Sequence, residues 1–330
     1  MIVTGKGLHQ GALAAIGLLA GAAALAETPE AAGEWTQRAP LPEQRTEVSV
    51  TTDGERVFLA GGFARAAEER ASAPRAVYAY DPEADQWSEL TELPEGVNHA
   101  GLAHIDGRLY LVGGYREDTF DPIDNLRIYD LEAGEWSEGA PLPTARGALA
   151  VAVVDGRIHA ISGRSHGQED VGAHEVYDPQ ADAWATLAPL PTPRNHHAAA
   201  ALDGRIVVPV GRNDDGDRLT VNEIYDVAAD AWSEGAPVPT GRSGVAAVAL
   251  DGWVYLFGGE SFEPVRRTFA EAERYDPEAD SWEALPPMPT ARHGLGAASV
   301  GDAIYVISGG PDPGFAFSDA NERLVPDKDG

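Results

Sequence analysis

The chain has 330 residues, with 24 basic against 53 acidic side chains and a formal net charge of −29. A hydrophobic share of 43% suffices for a large core and is too high for a disordered chain. The acidity argues against nucleic acid and anionic membrane surfaces as partners, because both need a basic footprint. With no cysteine, disulfides, thiolate metal sites and thiol nucleophiles are removed from consideration.

The first segment reads as an address. Lys6 and His9 precede an apolar stretch from Gly11 to Ala26, which closes on the small-x-small pattern Ala24-Leu25-Ala26. The stretch is shorter than the roughly 20 residues of a spanning helix. We expect a signal peptide over 1–26, a short linker over 27–33 and a periplasmic or secreted protein without membrane attachment after cleavage. A permanent N-terminal anchor is the alternative.

From there one unit repeats. Tryptophan recurs at Trp35, Trp87, Trp136, Trp184, Trp232 and Trp282, at spacings of 48 to 52 residues. Each unit opens on small apolar residues, as in Gly147-Ala-Leu-Ala-Val-Ala-Val-Val154. An Asp-Gly pair follows at 53–54, 106–107, 155–156, 203–204 and 251–252, the strongest short signal for a tight hairpin. A second apolar strand comes next, then a longer loop, a strand ending in Tyr-Asp, and the tryptophan strand. Small residues suit strands crowded around an axis, and aromatics suit the wider gaps farther out.

Double glycines at 61–62, 113–114, 258–259 and 309–310, followed by Tyr-Asp and Trp, resemble the kelch repeat. The resemblance covers residues 34–330 and implies an all-β, six-bladed kelch-type propeller. Two units depart from it, with Ser162-Gly163-Arg164 and Val210-Gly211-Arg212 in place of the glycine pair. The residues after Trp282 supply only three strands, and the strand around Trp35 stands alone. The N-terminal strand is therefore expected to close the sixth blade.

Candidate chemistry lies in the loops at one axial face. Loops entering the innermost strands carry Arg45, Arg146, Arg194, Arg242 and Arg292, and loops leaving the second strands carry Arg164 and Arg212. Guanidiniums gathered in a ring would capture carboxylate or phosphate. The five entering arginines could instead be structural, bonding backbone carbonyls and the glutamates of the third strands, Glu175, Glu223, Glu273 and Glu322. His99, His166, His196, His197 and His293 fall near the same rim on different blades, with His196 and His293 taken as ligand contacts. Spacing along the chain cannot show whether they converge, so no metal and no cofactor are expected.

After Gly258-Gly259, the run from Glu260 to Arg266 is similar to the exported kelch-type sialic acid mutarotases. That resemblance implies Glu260 as acid/base and Arg266 as carboxylate anchor. The expected function is a monomeric binding module for an anionic small molecule, acidic glycan or acidic protein segment. The enzymatic alternative is a sugar-acid mutarotase or epimerase, and a third possibility is a stabilising module for another envelope protein.

Overall fold

The computed structural model describes Met1 and residues 33–65, 71–216 and 218–327. The expected signal peptide, beyond Met1, and the linker up to residue 32 lie outside the described residues. Among the described residues no helix is long and apolar enough to cross a membrane.

Six four-stranded antiparallel sheets form the blades of a propeller. In blade 3 the strands run Ala150–Val154, Arg157–Ile161, His174–Asp178 and Ala183–Thr186, from the axis outwards. Blade 6 is built from Gly296–Val300, Ala303–Ile307, Asn321–Leu324 and the N-terminal strand Trp35–Gln37. Trp35 pairs with Leu324 and Gln37 with Glu322, so the first strand closes the last blade as expected.

The innermost strands contact one another in cyclic order, blade 6 meeting blade 1. They approach closely enough to explain their composition. A Cβ added at Gly101 would lie 2.3 Å from Val151, and one at Gly296 would lie 2.1 Å from Val50.

The tight hairpins form as the sequence predicts in blades 2 to 5. Asp106-Gly107, Asp155-Gly156, Asp203-Gly204 and Asp251-Gly252 all have positive φ at both residues, as a type I′ turn requires. Blade 1 differs. Asp53 is not in the left-handed region, and its carboxylate accepts the backbone N–H of Glu55 and Arg56, at 3.0 and 2.6 Å, across a four-residue loop.

A repeated stitch joins neighbouring blades. Tyr177 donates its hydroxyl to Asp182, which also accepts the N–H of Ala140 from the blade before, at 2.7 Å each. The carbonyl of Ala140 in turn accepts the Trp184 indole N–H at 2.8 Å. Tyr225–Asp230–Trp232 on Ala188 and Tyr275–Asp280–Trp282 on Ala236 repeat it. The Tyr-Asp and Trp signals thus mark polar contacts between blades as well as apolar packing.

Candidate functional site

The repeat places two equivalent residues of every blade at one mouth of the axis. The first ring is Glu47, His99, Ala148, His196, Gly244 and Gly294, each two residues beyond the entering arginine or its counterpart. All six have positive φ. Their backbones link around much of the ring, with Ala148 N–H donating to His99 O at 2.9 Å and Gly244 N–H to His196 O at 2.8 Å. The second ring is Phe63, Tyr115, Arg164, Arg212, Glu260 and Gly310, each following the equivalent positive-φ glycine at 62, 114, 163, 211, 259 and 309. Each residue of the second ring pairs through its backbone with the residue just before a member of the first, as in Asn195 with Arg212 and Ser243 with Glu260.

This register corrects the sequence alignment on one point. Arg164 and Arg212 do not stand in for a glycine, because Ser162 and Val210 do. The two arginines occupy the position held elsewhere by an aromatic ring, a carboxylate or Gly310.

The expected ring of entering arginines is not there. Arg45, Arg146, Arg194, Arg242 and Arg292 are all fully buried inside the blades. Arg146 donates to the carbonyls of Ser162, Thr144 and Ala160 at 2.8, 2.8 and 2.9 Å, and to Glu175 at 2.5 Å. Arg242 is paired with Glu273 at 2.5 Å, while Arg194 and Arg292 are paired with Glu223 and Glu322. Blade 1 has no such glutamate, and Arg45 instead bonds Glu43 and Gly61 O and packs on the Tyr78 ring. A guanidinium held below the surface by backbone carbonyls and a carboxylate cannot meet a ligand. The structural reading therefore holds for all five.

What does converge is a compact cluster over the axis. The His99 and His196 Nε2 atoms lie 3.1 Å apart. His99 Nε2 is 3.3 Å from Glu47 Oε2. His293 Nε2 is 3.5 Å from Glu47 Oε1 and 3.5 Å from Glu260 Oε2. Arg212 donates to Glu260 Oε1 at 2.7 Å and to His196 Nε2 at 2.8 Å, and Gly314 N–H donates to Glu260 Oε2 at 2.9 Å. The axial channel beneath them encloses about 160 Å³ and is lined by the starts of all six inner strands.

The tautomers are fixed from behind. Asn98 donates its amide to Glu117 O at 2.6 Å, so its Oδ1, 2.6 Å from His99 Nδ1, accepts from that ring. Asn195 donates to Asp170 at 2.5 Å and accepts from His196 Nδ1. His293 Nδ1 donates to Gly310 O at 3.1 Å. In all three rings Nε2 is left facing the cluster. Burial pushes the pKa of His99 down against the opposing pull of Glu47, and burial with the Arg212 charge pushes that of His196 well down. Both rings are therefore neutral, with lone pairs on Nε2.

The remaining candidates lie around or away from this centre. Arg164 is held by Asp214 at 2.6 Å and lies 3.4 Å from Asp170, whose carboxyl is pushed up by burial. Arg266 is exposed, donates to Pro313 O at 2.5 Å and lies against the Phe262 ring, as does Arg212. His166 is exposed, 3.9 Å from Asp121, outside the cluster. His197 is buried, bonds Ile161 O, and is driven by burial to a pKa of about 3. Phe120 and Phe315 are exposed aromatics packed on Phe63. Sequence reading passed over Glu47, Asn98 and Asn195. Aligning the residue two beyond each entering arginine would have placed Glu47 beside His99 and His196.

A family model for the KLHDC2/KLHL20/DRC7 Kelch-repeats domain matches residues 28–208, and the Kelch motif matches residues 241–289. The chain belongs to the kelch-repeat family. Among curated kelch relatives it is similar to beta-scruin of Limulus polyphemus, 33% identical over 24% of this chain and 8% of scruin. Alpha-scruin of the same animal is 31% identical over 28% of this chain and 11% of its own length. Kelch-like protein terF of Aspergillus terreus is 31% identical over 27% and 20%. The matches thus span a fifth or less of those proteins. The solved structure of YjhT superposes with a TM-score of 0.76 over 88% of this chain and 97% of that one, at 15% identity. That likeness is one of fold.

Proposed function

We propose that this kelch propeller is an exported binding module whose axial mouth takes a small acidic ligand, an acidic sugar in preference to an acidic peptide segment. One observation carries the reading. Arg212 and Arg266 both lay their guanidiniums against Phe262, 5.5 and 5.3 Å from its centroid, so two cations flank one ring at the mouth. The exposed rings of Phe120 and Phe315 add apolar surface at the second ring's loops. Apolar faces beside a few charged donors suit a pyranose, which has a C–H face and a polar edge. Glu47 and Glu260 outweigh Arg212 while His99 and His196 are neutral. The ligand's carboxylate therefore belongs at the Arg212–Arg266 edge and not over the axis.

Calorimetric titration with sialic acid and with a neutral hexose tests this. The acid should bind and the hexose much less. Arg266→Ala and Arg212→Lys should each weaken the acid about tenfold or more, the loss of one charge-assisted bond. Equal affinity for both sugars would remove the anion from the proposal.

A second reading is proton transfer on a sugar acid. It is favoured by Glu260, a carboxylate only 1% exposed, lying 3.5 Å from the His293 imidazole and sharing the Pro313-Gly314 loop with Arg266. Acceleration of anomer exchange by the protein, abolished in Glu260→Gln, would establish it.

The export in this proposal rests on residues 1–26. Secreted protein whose N-terminus begins at Glu27 supports it, and an intact Met1 in the membrane fraction does not.

A further inference from the structure

We infer that Glu47, His99 and His196 form a binding site for a divalent transition-metal ion of the zinc class, with His293 and Glu260 beside it. The inference stands apart from the acidic-ligand reading.

The first ground is electrostatic. In the tautomer that donates Nδ1–H to an asparagine oxygen each ring has a bare Nε2, and the two Nε2 atoms face each other at 3.1 Å. Two lone pairs and the Glu47 carboxylate, 3.3 Å away, face one point. Such an arrangement is repulsive unless a cation lies among them. Arg212 now supplies part of that charge through its contact with His196.

The second ground is geometric. All three ligand atoms lie within 4.8 Å of one another. A tetrahedral zinc with bonds near 2.1 Å separates its ligand atoms by about 3.4 Å, which is close to the observed 3.1 and 3.3 Å. A second such group, Glu47, Glu260 and His293, shares the Glu47 carboxylate.

The third ground is an independent orphan. His293 is wholly buried, and its Nε2 has no hydrogen-bond partner although it points at Glu47 and Glu260. A buried polar atom left unpaired is costly, and a polar ligand or ion is a usual reason for one.

The backing of the rings fits as well. Metal-bound imidazoles characteristically donate their other N–H to a fixed oxygen. Asn98 Oδ1, Asn195 Oδ1 (held by Asp170) and Gly310 O do this here. Two histidines and one carboxylate leave a coordination position open. Arg212 would release His196 Nε2 to the ion and keep Glu260.

The test is calorimetric titration of Zn²⁺ into chelator-treated mature protein at pH 7.5, with melting curves confirming that each variant is folded. One equivalent should bind saturably. His99→Ala and Glu47→Gln should each weaken it at least tenfold, and His166→Ala, an exposed residue outside the cluster, should not. Arg212→Gln should tighten binding severalfold, because it removes a competing cation from His196. That direction does not follow from damage to the fold. Absence of saturable binding, unchanged affinity in His99→Ala, or weaker binding in Arg212→Gln would overturn the site.

Discussion

Tyr129 and Trp136 stand at a blade junction where the polar stitch is broken. The Asp that joins the equivalent tyrosine, as at Asp182 and Asp230, is Gly134 here, and the Trp136 indole N–H has no partner. The aspartates at 85, 182, 230 and 280 all have φ between 46° and 51°, and Gly134 has φ 69°. Gly134 therefore occupies a conformation that this fold already asks of aspartate four times.

Gly134→Asp should stabilise the protein. A Cβ at Gly134 would lie 3.7 Å from the Tyr129 hydroxyl, with nothing else within 4 Å, so a carboxylate can accept that hydroxyl. One such bond contributes about 0.5–1.5 kcal/mol, and replacing glycine adds a small gain by restricting the unfolded chain. The melting temperature should rise by roughly 2 °C. A fall would show that this junction is arranged differently from the others.

Arg194→Met should destabilise the fold severely without acting through any ligand. It strands Glu223, which is 2% exposed, together with the carbonyls of Thr192 and Val208. Removing one member of a buried pair costs about 3–5 kcal/mol. Adding Glu223→Leu should recover much of the loss, because the uncompensated charge goes with it. If the single variant melts like wild type, the arginine is not structural.

Removal of the closing strand gives a third expectation. Trp35 packs edge-on against Phe257 at 5.7 Å and donates its indole to Pro286 O at 2.9 Å. The ring is half-buried, so Trp35→Ala should cost about 2–3 kcal/mol, below the range for a fully buried tryptophan. Deletion of residues 27–38 should cost more, since the Asn321–Leu324 strand loses its backbone partners. Identical melting curves for the deleted and intact chains would contradict closure by this strand.

Acid should weaken the junction of blades 3 and 4. His159 and His174 touch at 3.0 Å, and burial, aided by Arg157 for the first and by His159 for the second, holds each near a pKa of about 4. The unfolded rings titrate near 6.5 and so bind more protons between those values. Stability therefore falls as pH drops from about 6.5 to about 4, by up to about 1.4 kcal/mol per pH unit for each ring. His159→Phe should make the decline of melting temperature between pH 7 and pH 4.5 shallower. An unchanged slope would mean the rings do not titrate with folding.

The fold was legible because each repeat writes its own geometry. Small residues mark the axis, Asp-Gly most of the hairpins, and Tyr-Asp with Trp most of the outer seams. The site was only half legible for the opposite reason. His99, His196 and His293 come from different blades, and only closure of the ring brings them together. Arg146 and Arg212 look alike as sequence, yet one bonds three carbonyls and a buried glutamate while the other reaches the mouth. Glu47 carries no local motif. Its meaning lies in sharing a left-handed backbone position with two histidines of other blades.

The central claim is that ligand chemistry takes place at this mouth. Amide NMR of the isotopically labelled mature protein during titration with sialic acid tests it most directly. The account predicts shifts confined to the backbone amides of 195–197, 212, 243–244, 260, 262, 266 and 314, which surround Glu260 and the Arg212–Arg266 edge. The indole N–H signals of Trp87, Trp184, Trp232 and Trp282, on the outer seams, should stay in place. Shifts at those indoles or along the outer strands, with the mouth unchanged, would contradict it.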